Sequence, residues 1–389
     1  MLLTKSELDA LDGKQGEALS SAYRILLAIG EATDAERLVP IKWAHVSGVN
    51  FKTIGDSGLK FLEGFAKEAR TTVMTTVNPM GYDRSKPGNL PSDFIEKQER
   101  IVAAYEKMGV VPSFTCTPYE VFDIPERGSA VSFAESNAAV FSNSMLGLRT
   151  NKESALSALA SAVTGKAPLS DLRAGKSDMS SRTAIRAEFD FESELDYGLL
   201  GYFAGKVVDD SRVSLHGIST PTTVDAKALS GGMGTSGSCG MFSLGGENDD
   251  DIAGEKISFG KKEAQAVRDE LNTAEDGDII ALGSPQFGMG ELKLLSKLVE
   301  GKKFTKRCMI FCSKAIHAQA TKIGLTGGLE KSGAEFMCDS CACLTPYITR
   351  EEYDSVVANS VKGAYYLNHS NKVQVALKDI RSIAKEYAK

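Results

Sequence analysis

Apolar positions along this chain change spacing in a regular alternation. From Thr4 to about Glu36 they recur with helical periodicity, and Thr4 supplies a capping hydroxyl at the start of the run. "RLVPIKWAHV" (37–46) loses that period and reads as a buried strand, while "SGLKFLEGFAKEA" (57–69) regains it. "TTVMTTVN" is β-rich, "SDFIEKQERIVAAYEKMG" is a helix started by Ser92 and stopped at Gly109, and "VVPSFTCTPY" (110–119) returns to strand. After Lys261 the alternation resumes. "KKEAQAVRDELN", "GELKLLSKLVEG" and "IGLTGGLEKSG" read as helices, separated by the strands "GDIIALGSP" and "KRCMIFCS". Strands joined through helices pair in parallel, so the pattern predicts an α/β fold with mainly parallel sheets.

A length of 389 residues exceeds what one hydrophobic core fills. The pattern divides the chain into an N-terminal α/β lobe (1–205), a Gly- and Asp-rich connecting region (206–260) and a C-terminal α/β lobe (261–389). Within the connecting region, "GGMGTSGSCGMF" reads as an interlobe turn, because it lacks the Lys-Ser/Thr ending of a phosphate loop. The acidic run "GGENDDDIAGE" reads as a solvated loop. The first residues carry neither the basic nor the apolar segment of a signal peptide, and runs such as "RILLAIG" are too short to cross a bilayer. A cytoplasmic protein with no membrane partner is expected. The net charge of −6, with Lys and Arg scattered, also argues against a nucleic-acid partner.

Seven cysteines are unevenly spread, with Cys338, Cys341 and Cys343 crowded into "EFMCDSCACL" (335–344). Disulfides, a redox pair, zinc and an iron–sulfur cluster compete to explain them. A reducing cytosol disfavours disulfides. The Cys-x-x-Cys pair follows a β-like segment instead of opening an amphipathic helix, unlike a thioredoxin-type pair. Zinc needs further close-spaced ligands, and His45, His216, His317 and His369 are isolated and read as ordinary core or surface residues. A cluster on three thiolates would need one more Cys. Cys116, at a predicted strand end and near a Pro, is the strongest candidate, ahead of Cys239. Cys308 and Cys312, in an apolar strand, read as small core residues.

Six stretches together carry a resemblance: "TTVNPMGYD" (75–83), "YEKMGVVPSFTCTPYE" (105–120), "ESNAAVFSNSMLGLRTNKE" (135–153), "LGSPQFGMGEL" (282–292), "GLEKSGAEFMCDSC" (328–341) and "VANSVKGAYYL" (357–367). In this order, and spread over most of the chain, they resemble the aconitase X family. The resemblance implies an aconitase-like, multi-lobed α/β/α fold that lacks the swivelling domain. It implies an iron–sulfur cluster on Cys116, Cys338 and Cys341, expected to be [4Fe–4S] with [2Fe–2S] as the alternative, and Cys343 or Cys312 as the replacement for one ligand. The implied reaction is a hydro-lyase step on a small phosphorylated hydroxy acid, mevalonate 5-phosphate. Its product is trans-anhydromevalonate 5-phosphate, on a mevalonate route to isoprenoids. Dehydration of cis-3-hydroxy-L-proline is the rival within the family, and a non-catalytic cluster or metal scaffold is the rival outside it.

Beside that resemblance, the chemistry asks for an acid/base and for carboxylate and phosphate anchors. Glu135, Ser144 and Arg149 are the catalytic candidates, Arg149 as the anion anchor. Asn78, Ser136, Asn137, Asn143, Thr150, Asn151, Ser284, Gln286, Asn359, Ser360 and Lys362 are the candidate substrate contacts. Asn78 is equally a turn residue, and Asn359, Ser360 and Lys362 equally a helix cap. Gln286 stands where the family pattern has a His. A Gln cannot move a proton, so only a hydrogen-bonding role carries over. The chain closes with a plain amphipathic helix, "KVQVALKDIRSIAKEYAK", so the swivelling domain is expected as a separate small subunit.

Overall fold

A computed structural model describes residues 1–175, 183–245 and 255–389. Within them the chain builds three parallel sheets and one short antiparallel pair. The N-terminal helices are Lys5–Leu11 and Glu17–Ala32. The first starts with a reciprocal cap: Thr4 Oγ1 accepts from the Glu7 N–H while the Glu7 carboxylate accepts from the Thr4 N–H.

The strands of the first lobe are β1 (Leu38–Pro40), β2 (Trp43–Val46), β3 (Met74–Val77), β4 (Ser132–Phe133) and β5 (Lys166–Pro168). Residues 37–46 are thus two strands where the apolar run predicts one. The chain changes partner midway: β1 pairs antiparallel with β5, whereas β2 lies between β3 and β4 in a parallel sheet. Residues 110–119 also depart from expectation. Val111 and Thr115 donate to the carbonyls of Thr75 and Val77, so the segment runs beside β3. Pro112 has no N–H to give, and Phe114 takes a left-handed φ of 40°, which breaks the ladder before Cys116.

The region expected as a connector is part of a second α/β lobe. β6 (Thr183–Ala187), β7 (Arg212–His216), β8 (Met241–Leu244) and β9 (Glu255–Phe259) form a parallel sheet in the order β8-β7-β6-β9. "GGMGTSG" is mostly helix, within Thr223–Ser236, and not a turn. Its glycines serve packing. A Cβ at Gly232 would lie 2.2 Å from the Gly198 carbonyl, and one at Gly201 would lie 2.1 Å from that of Leu229. The helices Glu194–Val207 and Thr223–Ser236 therefore meet backbone to backbone, a contact that only hydrogen side chains permit. The acidic run lies, at 246–254, outside the described residues.

The third lobe carries β10 (Ile279–Leu282), β11 (Cys308–Cys312), β12 (Ala334–Cys338), β13 (Ser355–Ala358) and β14 (Gln374–Leu377), all parallel, in the order β12-β11-β10-β13-β14. Its two faces divide by strand alternation. Ile279, Ala281, Met309, Phe311 and Met337 join the large core shared with the other lobes, while Ile280, Leu282, Cys308, Cys312 and Cys338 face a separate core under the terminal helix. No helix among the described residues is long and apolar enough to cross a membrane.

Candidate active site

A cleft of about 520 Å³ opens where the lobes meet. The first lobe contributes Asn78, Cys116 and Glu135, the second Gly234, and the third Cys341, Cys343 and Lys362. Gly234 faces Ser136 at a distance that a Cβ would close to 2.9 Å, so the second-lobe helix comes up against the cleft edge.

A directed polar chain crosses the first-lobe side. Trp43 Nε1 donates to Thr76 Oγ1 at 2.8 Å, and Thr76 Oγ1 meets His45 Nδ1 at 2.8 Å. His45 Nε2 meets Asn78 Oδ1 at 2.8 Å, and Asn78 Nδ2 donates to Glu135 Oε2 at 2.7 Å. An indole N–H can only donate and an amide oxygen can only accept. That fixes the proton on His45 Nε2 and leaves Nδ1 to accept from Thr76. Full burial depresses the His45 pKa to about 4, so this ring is neutral at ordinary pH. The other Glu135 oxygen accepts from Lys362 Nζ. Burial works against the Lys362 charge, yet Glu135 and the neighbouring thiols raise its pKa above the usual lysine value. Glu135 also caps the helix Ser136–Phe141, and its carboxylate is thereby held from three directions.

The third wall is sulfur. The Cys341 thiol is in hydrogen-bonding contact with those of Cys116 and Cys343, which push its pKa well below the usual thiol range. Burial and the same contacts raise Cys116 and Cys343. Ser284 Oγ hydrogen-bonds Cys343 and lies 3.6 Å from Cys341 Sγ. Gln286 ties the two cysteine loops together. Its main-chain N–H donates to Cys116 Sγ at 3.1 Å, its Oε1 accepts from the Cys116 N–H, and its Nε2 donates to the carbonyls of Phe114 and Ser340 at 3.2 and 2.7 Å. Among the described residues no group of three or more His, Cys, Asp or Glu is placed to hold a single metal ion.

Cys338 does not belong to that trio, contrary to the Cys-x-x-Cys expectation. It ends β12 directly opposite Cys312 in register, facing the outer core of the third sheet, and the two thiols hydrogen-bond each other. Asp339 then takes φ of 62°, pinned by its N–H to the Cys312 carbonyl and by Lys314 N–H to its carboxylate. That turn redirects the chain and brings Cys341 and Cys343 to the cleft.

The polar block 135–153 divides in the same way. Glu135 and Ser136 line the cleft, and Asn137 Nδ2 donates to the Cys116 carbonyl at 3.2 Å. Of the rest, Asn143 and Ser144 tie the first lobe to the second, and Thr150 and Asn151 brace the first lobe itself. Asn143 bonds Thr150 through both ends of its amide and also donates to the Gly240 carbonyl; Ser144 Oγ accepts from Phe242 N–H at 2.9 Å. Thr150 accepts from Phe133 N–H, and Asn151 bonds Ser170 and Arg173. Arg149, proposed as an anion anchor, is exposed and packs against Gly175. On the third lobe, Asn359 Oδ1 accepts from Gly283 N–H, while Ser360 caps the helix Val361–His369; both lie behind the cleft and only Lys362 enters it. His45, read as an ordinary residue, is one group that sequence reasoning missed, and the cleft-lining Ser47 and Gly48 are others. The signal for His45 was a lone titratable side chain inside the buried run "WAHV".

Family models for the Aconitase X first, second and third domains match residues 1–174, 181–269 and 277–389. The chain belongs to the aconitase X family. The phosphomevalonate dehydratase large subunit of Methanocaldococcus jannaschii is 37% identical over 99% of this chain and 100% of its own length. The crystal structure of Thermococcus kodakaraensis aconitase X in its holo-form superposes with a TM-score of 0.90 at 33% identity, covering all of both chains. The cis-3-hydroxy-L-proline dehydratase of Hypocrea jecorina is 31% identical over 94% of this chain but only 65% of its own length. The aconitase X chain therefore has the extent of the large subunits and about two thirds that of the proline enzyme.

Proposed function

We propose that this chain is the large subunit of a phosphomevalonate dehydratase, a hydro-lyase that converts mevalonate 5-phosphate to trans-anhydromevalonate 5-phosphate and water in the mevalonate route to isoprenoids. The observation that carries the reading is the meeting of three thiols with a buried Glu135–Lys362 pair in one cleft. Likeness in extent and sequence to named large subunits supports both the reaction and a separate small swivelling-domain subunit.

The residues fit an iron–sulfur cluster, [4Fe–4S] in this reading. Cys116, Cys341 and Cys343 converge from two lobes on one cleft, and a main-chain N–H points at Cys116 Sγ. Such a cluster, when bound, supplies a Lewis-acidic iron toward the hydroxyl that leaves. Glu135 is the base for the proton on the carbon next to the substrate carboxylate, aimed by Asn78 and the neutral His45 behind it. Lys362 places a positive charge where that carboxylate gains electron density. Ser47 and Gly48 line another part of the cleft and offer neutral donors suited to phosphate oxygens. None of the seven thiols is paired in a disulfide, which is in keeping with the cytoplasmic location this reading carries.

The test is anaerobic. The chain is loaded with iron and sulfide, with and without the small-subunit candidate, and supplied with mevalonate 5-phosphate or cis-3-hydroxy-L-proline. Turnover of the phosphate alone, requiring both subunits, is expected. Turnover of the hydroxyproline alone contradicts the substrate, and an active complex without iron contradicts the cluster.

A further inference from the structure

One buried cation joins all three lobes behind the sulfur wall. Lys227 of the second lobe is 2% exposed, and its Nζ lies 3.0 Å from Glu120 Oε2 of the first lobe and 2.6 Å from Glu291 Oε1 of the third. Its third donor goes to the main-chain carbonyl of Gln286 at 3.1 Å. Three N–H bonds thus go to three acceptors, which is the full capacity of an ammonium group. The other Glu291 oxygen accepts from Gly288 N–H at the start of the helix Met289–Leu298. Burial opposes the lysine charge, but the two carboxylates outweigh it and keep the group protonated. A buried ion cluster is weak evidence of stability, since apolar replacements of the same volume often serve as well. What an apolar group cannot replace here is the bond to Gln286, because the same residue gives its N–H to Cys116 Sγ.

We propose that Lys227 is a positioning residue: through the Gln286 main chain it fixes the hydrogen bond on Cys116 Sγ, so the second lobe sets the geometry of a thiol it never touches. The consequence for iron rests on the cluster reading above; the geometric claim does not. In this arrangement Glu120 and Glu291 aim the ammonium, and Gln286 transmits its position across a single residue. Outer partners of this kind alter metal affinity by about 10- to 100-fold when removed.

Lys227→Met alone strands two buried carboxylates and risks misfolding. The triple variant Lys227→Met, Glu120→Gln, Glu291→Gln keeps the volume and removes every charge. Lys227→Met with Glu120→Gln, which retains Glu291 under its Gly288 cap, decides the question should the triple variant not fold. The first readout is amide hydrogen exchange in the iron-free full chain. Pro285 has no N–H, so Gln286 reports cleanly beside it. Exchange at Gln286 about tenfold faster than in the parent, with the Ile280–Leu282 amides of β10 unchanged, is the expected result. The second is release of iron from the loaded chain to a chelator, expected to quicken about tenfold while far-UV circular dichroism stays the same. Unchanged exchange at Gln286 overturns the proposal. A parallel rise at Gln286 and in β10 also overturns it, because Lys227 then merely stabilises the fold. A parent chain that takes up no iron removes the cluster reading, and the exchange result still decides the role of Lys227.

Discussion

Two groups of thiols lie a few residues apart in sequence and have opposite surroundings. Cys341 and Cys343 meet Cys116 at the cleft, beside Lys362 and Ser284. Cys338 meets Cys312 inside the outer core of the third sheet, among Ile310, Leu329 and Phe336. Spacing did not decide between them. Cys338 is still in β12, where its parity sends the side chain to the outer face; the positive φ at Asp339 ends the strand, and only residues beyond that turn reach the cleft. A Cys-x-x-Cys pair that straddles a strand end is thereby split between a core and a site.

The contrast is sharpest in iron binding. Cys343→Ser is expected to lower bound iron and turnover by more than about 100-fold, beyond the effect of removing an outer partner, while Cys338→Ser leaves both near parental values. Iron content per chain after anaerobic loading measures this. On the polar side, Glu135→Gln keeps the Asn78 contact but cannot take a proton, so kcat falls roughly 100- to 10,000-fold with iron content unchanged. In the outer core the effect is on stability: Cys338→Ser replaces a weakly polar thiol, beside Cys312, by a more polar hydroxyl and costs about 1–3 kcal/mol in denaturant unfolding.

A pH titration adds a comparison with the histidine behind the cleft. His45 has a pKa of about 4 when folded, below the ordinary value of 6.5. Between these values the unfolded chain binds a proton that the folded chain excludes. The His45 contribution is therefore intact above pH 6.5 and is lost as pH falls toward 4, by about 3 kcal/mol in all. Comparing His45→Leu with the parent by denaturant unfolding at pH 7 and pH 4.5 isolates it, since the variant lacks this part of the pH dependence. The smallest effect belongs to Arg149→Ala. With the side chain exposed outside the cleft, stability should move by less than about 0.5 kcal/mol and KM should stay the same.

Much of the fold was legible because periodicity follows burial. The helices at Ser92–Lys107 and Lys261–Leu271, and the strand Cys308–Cys312, fall where apolar spacing puts them. The second lobe was hidden because its helix Thr223–Ser236 is built with glycines for close contact, and glycine by local propensity signals a turn. Within the candidate site, Glu135, Lys362, Cys116 and Cys341 could be named from type and pattern, but the facing of each side chain could not. Arg149 and Asn143 carry the same polar signature as a binding residue, and tertiary contacts alone show that one is solvated and the other braces a joint between lobes. Cys343 and Cys338 differ by a single backbone turn that no residue count reveals.

The most direct test of the account is iron and sulfide analysis of the anaerobically loaded chain carrying Cys343→Ser, with Cys338→Ser in parallel. Loss of the cluster from the Cys343→Ser chain and its retention by the Cys338→Ser chain is the predicted result. A chain that keeps its cluster without the Cys343 thiol and loses it without the Cys338 thiol contradicts the account and restores the Cys-x-x-Cys ligand pair.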